Sequence, residues 1–260
     1  MITKQWMEID NHRKIADHIW ELTLKGTLVE QIERPGQFIH IKVDSSSDLL
    51  LRRPISISSF DKQEGWMKLI YRAQGEGTKR LSQKHVGDKV DVLGPLGNGF
   101  EIEKVEDHET VMIVGGGIGV PPLYELSRQF KMQNKKVTHV LGFQSRDVSF
   151  YQEEFSQLGL TFVTTVDGTE GTKGFVTDVM RKNIKDSDVI FTCGPTPMLH
   201  AIEETFSNHK RFISLEERMG CGIGTCLACV CKVNSDSSDT AYKKVCSDGP
   251  VFRGGEVIYG

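Results

Sequence analysis

The chain has 260 residues, 38% hydrophobic and 26% charged, with a formal net charge of -3. That size accommodates two domains and a small appendage, with a core that needs no staples. The charge excludes the basic footprint of a nucleic-acid binder. The apolar runs, such as Val111 to Val120, break well short of the roughly 18 residues of a membrane span.

From residue 1 to 102 the pattern is β-rich. Ile19 to Leu24, Phe38 to Val43, Pro54 to Ser58 and Met67 to Tyr71 carry β-branched and aromatic residues in near alternation. Arg34-Pro35-Gly36, Glu64-Gly65 and Val86-Gly87-Asp88 punctuate them, which predicts a small antiparallel barrel. One short helix is expected from Thr78 to Lys84. From 103 to 215 the rhythm changes. Strands at Thr110 to Val114, Val137 to Leu141, Thr161 to Thr165 and Val189 to Thr192 alternate with helical stretches at Pro122 to Gln133, Tyr151 to Leu158, Val176 to Lys182 and Met198 to Phe206. That alternation predicts a parallel α/β sheet covered on both faces, with ligands beyond the carboxyl ends of its strands. The segment 216–260 is Gly- and Cys-rich, without helical pattern, and too small to hold a core of its own. The polar stretch Asn234 to Thr240 reads as an exposed loop.

The N-terminal Met-Ile-Thr-Lys-Gln-Trp lacks the apolar core of a signal peptide, so a reducing, cytoplasmic compartment is expected. There, clustered cysteines bind metal or do redox chemistry more often than they form disulfides. Five of the six cysteines lie between Cys221 and Cys246. Cys221-x4-Cys226-x2-Cys229, followed after sixteen residues by Cys246, matches the plant-type spacing for a [2Fe–2S] cluster. Gly220, Gly222 and Gly224 let the loop wrap tightly and aim N–H groups at sulfur. A structural zinc site is the alternative, but zinc usually takes two C-x2-C pairs and here only one is in the quartet. Cys231 rivals Cys229 as a ligand, although its place at the start of a strand suits a buried thiol. Cys193, in Thr-Cys-Gly-Pro, is too far off in sequence.

Three further motifs have a nucleotide character. In Arg52-Arg53-Pro54-Ile55-Ser56, Arg53 can hold a diphosphate through its fork and Ser56 can add a hydroxyl bond; an exposed Arg before a Pro turn is the plainer reading. Gly75-Glu76-Gly77-Thr78 opens a predicted helix and suits an anion, or else is a Gly turn with Thr78 as N-cap. Val114-Gly115-Gly116-Gly117-Ile118-Gly119-Val120 follows a strand and opens a helix. It lacks the third Rossmann glycine, which leaves either a ligand-approach turn or strand–helix packing. Cys193-Gly194-Pro195 ends another strand at the same edge of the sheet.

The order of Arg-Pro-Ile-Ser, Gly-x-Gly-Thr, Gly-Gly-Gly-Ile-Gly and Cys-Gly-Pro resembles the ferredoxin–NADP reductase superfamily over residues 1–210. Ile55 stands where that superfamily often has a flavin-stacking Tyr. With Gly220 to Cys231 and Lys244 to Phe252, the whole chain looks like one branch, the electron-transfer subunits of type B dihydroorotate dehydrogenase. The resemblance implies an FAD-binding barrel (1–102), an NAD-binding α/β domain (103–215) and a [2Fe–2S] segment (216–260). It implies Arg53, Pro54, Ile55, Ser56, Ile70, Tyr71, Arg72, Gly77 and Thr78 around FAD. Gly115, Gly116, Gly117, Gly119, Cys193, Gly194 and Pro195 would frame NAD, and Cys221, Cys226, Cys229 and Cys246 would hold the cluster. It further implies an FMN-containing catalytic partner, two copies of each subunit, and electron flow from dihydroorotate to NAD+ in pyrimidine (UMP) biosynthesis. No acid or base is then needed in this chain. NAD rather than NADP also comes from the resemblance, since Arg146 and Asp147 argue in opposite directions. Rival readings are a reductase subunit of a sulfide dehydrogenase, transhydrogenase or hydrogenase, and a zinc-stabilised nucleotide-binding module without electron traffic.

Overall fold

The structure is a computed structural model that describes residues 2–44, 49–234 and 241–260. Its first part is a closed barrel of β1 (Thr3–Ala16), β2 (Ile19–Lys25), β3 (Phe38–Lys42), β4 (Arg53–Asp61), β5 (Trp66–Arg72) and β6 (Lys89–Leu96), in the order β1-β2-β5-β4-β3-β6. Closure leaves no free edge. Inward side chains such as Met7, Ile9, Leu22, Leu24, Ile39, Ile41, Leu69 and Val92 fill the interior. β1 and β6 are strands that alternation did not flag. β1 is rich in charge because much of it faces solvent, and it holds its place by pairing with β6 through its first half and with β2 through its second.

Between β5 and β6 runs α1 (Glu76–Leu81), which begins two residues before the expected helix and ends earlier. Gly75 is its N-cap. Thr78 lies inside the first turn, and its hydroxyl donates to the Gly75 carbonyl at 3.0 Å, so it is not the cap.

The central sheet contains β7 (Thr110–Gly116), β8 (Val137–Phe143), β9 (Leu160–Thr165), β10 (Thr172–Lys173), β11 (Asp188–Cys193) and β12 (Arg211–Ser214), all parallel. α2 (Pro122–Met132), α3 (Gln152–Ser156), α4 (Val176–Asn183) and α5 (Thr196–Thr205) connect them. Separate apolar clusters lie on the two faces, one around Ile113, Leu126, Phe130 and Phe191, the other around Val114, Val140, Met180 and Ile202. These are the two covered faces that a parallel sheet requires. α5 starts two residues earlier than expected because Pro197 fits the first helical turn, where a missing N–H costs nothing.

The tail forms β13 (Val230–Val233), β14 (Tyr242–Lys244), β15 (Val251–Arg253) and β16 (Val257–Ile258). β14, β13 and β16 make a small sheet, while β15 pairs antiparallel with β12 and becomes the seventh strand of the central sheet. Its apolar side chains, Val245, Phe252 and Val257 among them, pack with Phe38 of the barrel and Leu199 and Ile213 of the α/β part. The tail thus shares a core. The predicted loop at 234–240 lies, beyond Asn234, outside the described residues. Among the described residues no helix is long and apolar enough to cross a membrane.

Candidate functional site

A cavity of about 590 Å³ opens where barrel, sheet and tail meet, within the size range of cofactor sites. Of the residues expected around a flavin, Pro54, Ile55, Ser56, Ile70, Tyr71, Arg72 and Thr78 all line it. β4 and β5 are antiparallel neighbours, so their motif residues converge on one end of the barrel. The apolar walls of Ile55, Ile70 and Phe38 suit a flat ring, and the hydroxyls and Arg72 supply polar edges.

Tyr71 is anchored from behind. His12 Nδ1 lies 2.8 Å from the Lys84 carbonyl, which can only accept, so Nδ1 carries the proton. His12 Nε2 then accepts from the Tyr71 hydroxyl at 2.9 Å. Burial of His12 lowers its pKa and burial of Tyr71 raises its own, so the pair is neutral.

Arg53 and Gly77 stand just beside the cavity and against each other. A Cβ on Gly77 would lie 2.1 Å from Arg53 Nε. The guanidinium therefore lies flat on the backbone at the start of α1, with Nη1 donating to the Leu51 carbonyl. The positive charge at this helix start comes from Arg53, since a helix of six residues has little dipole, and a guanidinium fork placed there can hold an anion.

The glycine turn after β7 and the Cys193-Gly194-Pro195 turn after β11 adjoin, because Cys193 pairs with Gly115 in the sheet. A Cβ on Gly119 would meet the Cys193 carbonyl oxygen at 2.4 Å, and one on Gly116 would meet Met198 Sδ at 2.6 Å. A Cβ on Gly115 would meet Val120, and one on Gly194 would meet Met198. These four glycines serve strand–helix packing. Gly117, at φ 52°, instead faces the Arg72 guanidinium, and Ile118 lines the cavity, so the turn closes this cavity from the sheet side. Cys193 is fully buried, which pushes its thiol up. Arg146 and Asp147 are both exposed on a turn after β8.

Sequence reading missed the stretch from Ser214 to Met219, all of which lines the cavity. Its only signal is position, between the last parallel strand and the first cysteine. Glu216 faces the cavity. Crowding by protein atoms raises its pKa, and Arg72 opposes that. Only Gly220 separates Met219 from Cys221, a reach of at most about 7 Å, so cavity wall and cysteine loop are one continuous piece of chain.

Of the five tail cysteines, Cys221, Cys226, Cys229 and Cys246 come together in pairs. The Cys226 N–H approaches Cys221 Sγ at 3.3 Å and the Cys221 N–H approaches Cys226 Sγ at 3.5 Å. The Gly224 N–H donates to Cys246 Sγ at 3.3 Å. Burial works against ionisation of Cys221, but bonds from the Thr225 hydroxyl, the Ile223 and Cys226 N–H groups and the Cys226 thiol outweigh it and bring its pKa to about 5. Burial, and after it the Cys229 thiol, pushes Cys246 up to about 12. Cys221 with Cys226 and Cys229 with Cys246 form two pairs, an arrangement that can serve two irons, and backbone N–H groups already face the sulfurs. Cys231 lies in β13, where burial pushes its thiol up to about 11.

Comparison with known families places three models along the chain. An oxidoreductase FAD-binding domain matches residues 9–100, an oxidoreductase NAD-binding domain 113–204, and the iron–sulfur cluster binding domain of dihydroorotate dehydrogenase B 216–258. A Bacillus cereus protein described as the electron transfer subunit of dihydroorotate dehydrogenase B (NAD(+)) is 55% identical over 99% of this chain and all of its own length, and one from Bacillus anthracis matches equally well. A chain from a solved NADH-dependent reduced ferredoxin-NADP oxidoreductase superposes with a TM-score of 0.87 at 32% identity, covering 98% of this chain and 90% of that one. The ferredoxin reductase of carbazole 1,9a-dioxygenase shares the fold, with a TM-score of 0.67 at 17% identity over 79% of this chain and 65% of its own. With 55% identity along its whole length to such subunits, and with the FAD-binding, NAD-binding and iron–sulfur models following one another along it, the chain belongs to the family of dihydroorotate dehydrogenase B (NAD(+)) electron transfer subunits.

Proposed function

We infer that this chain is the electron-transfer subunit of a dihydroorotate dehydrogenase B, carrying electrons taken from dihydroorotate by a catalytic partner to NAD+ in pyrimidine biosynthesis. It is an oxidoreductase subunit that uses FAD, a [2Fe–2S] cluster and NAD. The observation that carries this reading is the unbroken stretch from the cavity wall at Ser214 to Met219 into the Cys221 loop, in a chain 55% identical to such subunits. FAD, which exchanges electrons singly or in pairs, and the one-electron cluster supply the redox chemistry when bound.

The protein's own groups bind and orient. Arg53 and the N–H groups around Gly77 and Thr78 hold a diphosphate. Pro54, Ile55 and Ser56 on one strand and Ile70, Tyr71 and Arg72 on the next grip the ring. Gly117 brings the nucleotide turn to the cavity, with Gly115, Gly116, Gly119, Cys193, Gly194 and Pro195 fixing its shape for NAD. Cys221, Cys226, Cys229 and Cys246 hold the cluster, and Cys231 does not. The three parts divide at 1–102, 103–215 and 216–260. The partner carries FMN, the assembly contains two copies of each subunit, and it works in the cytoplasm. Exposed Ile223 and Leu227 on the cysteine loop suit a docking surface.

Anaerobic purification with visible absorption and iron and labile-sulfide analysis tests the reading. A yellow-brown protein with iron and sulfide in equal amounts is expected, and a colourless, zinc-loaded sample would end the redox interpretation. The 32% identity to a chain of the ferredoxin-NADP oxidoreductase favours a second reading, a reductase subunit of another NAD(P)-linked complex. Co-purification separates the two: a partner with FMN and dihydroorotate-oxidising activity supports the first, and a partner without that activity supports the second.

A further inference from the structure

His40, on β3, has no exposed surface, and neither of its ring nitrogens has a hydrogen-bond partner. That is unusual for a buried imidazole, because an unmet donor or acceptor has lost its water without a replacement. His139 is equally buried, and both of its nitrogens are met, by Ser127 Oγ at 2.7 Å and Thr161 Oγ1 at 3.0 Å. Burial, with Arg52 adding to it, lowers the His40 pKa to about 4, so the ring is neutral and carries one N–H.

The unmet edge has a definite aim. A Cβ on Gly222 would lie 2.5 Å from His40 Cε1, 2.7 Å from Nδ1 and 2.9 Å from Nε2. The edge bearing both nitrogens therefore lies on Gly222, which has φ 72° and directly follows Cys221. Among the described residues no side chain is hydrogen-bonded to it. The strand neighbours in register are Pro54 and Leu93, and the adjacent ring is Phe38 at 5.8 Å. Arg52 donates to Asp91 and to the His40 carbonyl, and a guanidinium cannot accept. Phe38 itself lines the flavin cavity, so His40 stands in the wall between that cavity and the cysteine loop.

We propose that the His40 imidazole donates a hydrogen bond to a sulfur of the cluster held by the tail cysteines and thereby raises the cluster's reduction potential. A donor at sulfur stabilises the reduced cluster, which carries one more negative charge, over the oxidised one. The ring transfers neither electron nor proton. A Cβ on Gly222 would press against the ring as well as strain a backbone already at φ 72°. This inference rests on the cluster reading given above, and nothing in the sequence motifs points to His40.

The test uses the full chain with its cofactors, reduced and followed by electron paramagnetic resonance. His40→Leu should lower the cluster's reduction equilibrium constant about tenfold, which is about 59 mV for one electron. Iron, sulfide and FAD contents should be unchanged, and His40→Gln, which keeps a donor, should recover part of the shift. Wild-type protein labelled with 15N-histidine should show a weak 15N coupling to the reduced cluster, which also decides the matter if the Leu variant fails to fold. A fully loaded His40→Leu protein with the wild-type potential, or no 15N coupling in the wild type, would overturn the role of His40 while leaving the cluster intact. Wild-type protein without iron or sulfide would instead overturn the cluster itself, and the donor role with it.

Discussion

The Tyr151 hydroxyl donates to the Glu21 carboxylate at 2.5 Å, tying the α/β part to the barrel. Glu21 is only 1% exposed, and a buried carboxylate needs partners to remain ionised. It has them: Arg13 Nε donates at 2.9 Å, and Lys68 Nζ stands 3.4 Å away. Tyr151 reaches it from a left-handed backbone, φ 66°, at the residue preceding α3.

Tyr151→Phe should destabilise the protein by about 2 kcal/mol, the scale of a hydrogen bond to a buried charge. Burial tends to raise the Glu21 pKa, but the bonds from Tyr151 and Arg13 outweigh it and leave it lowered. A carboxylate with a lowered folded-state pKa contributes stability above its unfolded pKa and loses it as pH falls through the folded value. The gap between wild type and variant, measured by urea unfolding, should therefore hold at pH 7 and close below about pH 4. An equal gap at both pH values would deny Glu21 its charge.

Cys226→Ser should abolish the cluster's visible absorption and labile sulfide while FAD stays bound and dye-linked NADH oxidation continues. Cys231→Ser should keep iron and sulfide at wild-type levels and cost only stability, about 1 kcal/mol, since it places a hydroxyl in the apolar cluster. Metal and sulfide analysis of the two variants, run side by side, separates ligand from bystander. Loss of sulfide in the Cys231 variant would reassign the quartet.

Arg53→Ala should weaken FAD binding 10- to 100-fold, the range for losing a charge-assisted bond to phosphate. Flavin fluorescence titration of the deflavinated protein measures it. FMN, which lacks the diphosphate, should bind wild type and variant with a much smaller difference, and an equal loss for both flavins would place Arg53 elsewhere.

Gly119→Ala should destabilise the nucleotide-binding part by about 1–3 kcal/mol, because its Cβ meets backbone that cannot step aside. Gly117→Ala meets only the tip of Arg72 at 3.4 Å and bears the left-handed strain alone, about 1–2 kcal/mol. Thermal unfolding should rank Gly119→Ala below Gly117→Ala, whereas the KM for NADH should rise more in Gly117→Ala. The reverse order for KM would remove Gly117 from the nucleotide site.

Local pattern made much of this legible. Near alternation announced β2 to β5, and apolar runs between helical stretches announced β7, β8, β9 and β11, because each burial pattern is written in consecutive residues. The cysteine spacing was readable for the same reason: it is a local property of a tight loop. β1 and β6 were not, because their half-exposed faces dilute the alternation, and the helix starts at Glu76 and Thr196 depended on turn geometry that composition blurs.

What the sequence determined by itself was the set of chemical parts and their order: a barrel with an Arg-Pro-Ile-Ser strand, a sheet with two glycine turns, and a tail of spaced thiols. What tertiary structure decided was adjacency. Only folding brought Ser214 to Met219 along the flavin cavity, used Gly115, Gly116 and Gly119 for packing and left Gly117 at Arg72, and made β15 an edge of the central sheet. It also set the orphaned His40 against Gly222. Residues 182 positions apart have no pattern in common. They meet because a closed barrel and a seven-stranded sheet must bury the faces they turn toward each other, and the tail is what covers the remaining gap.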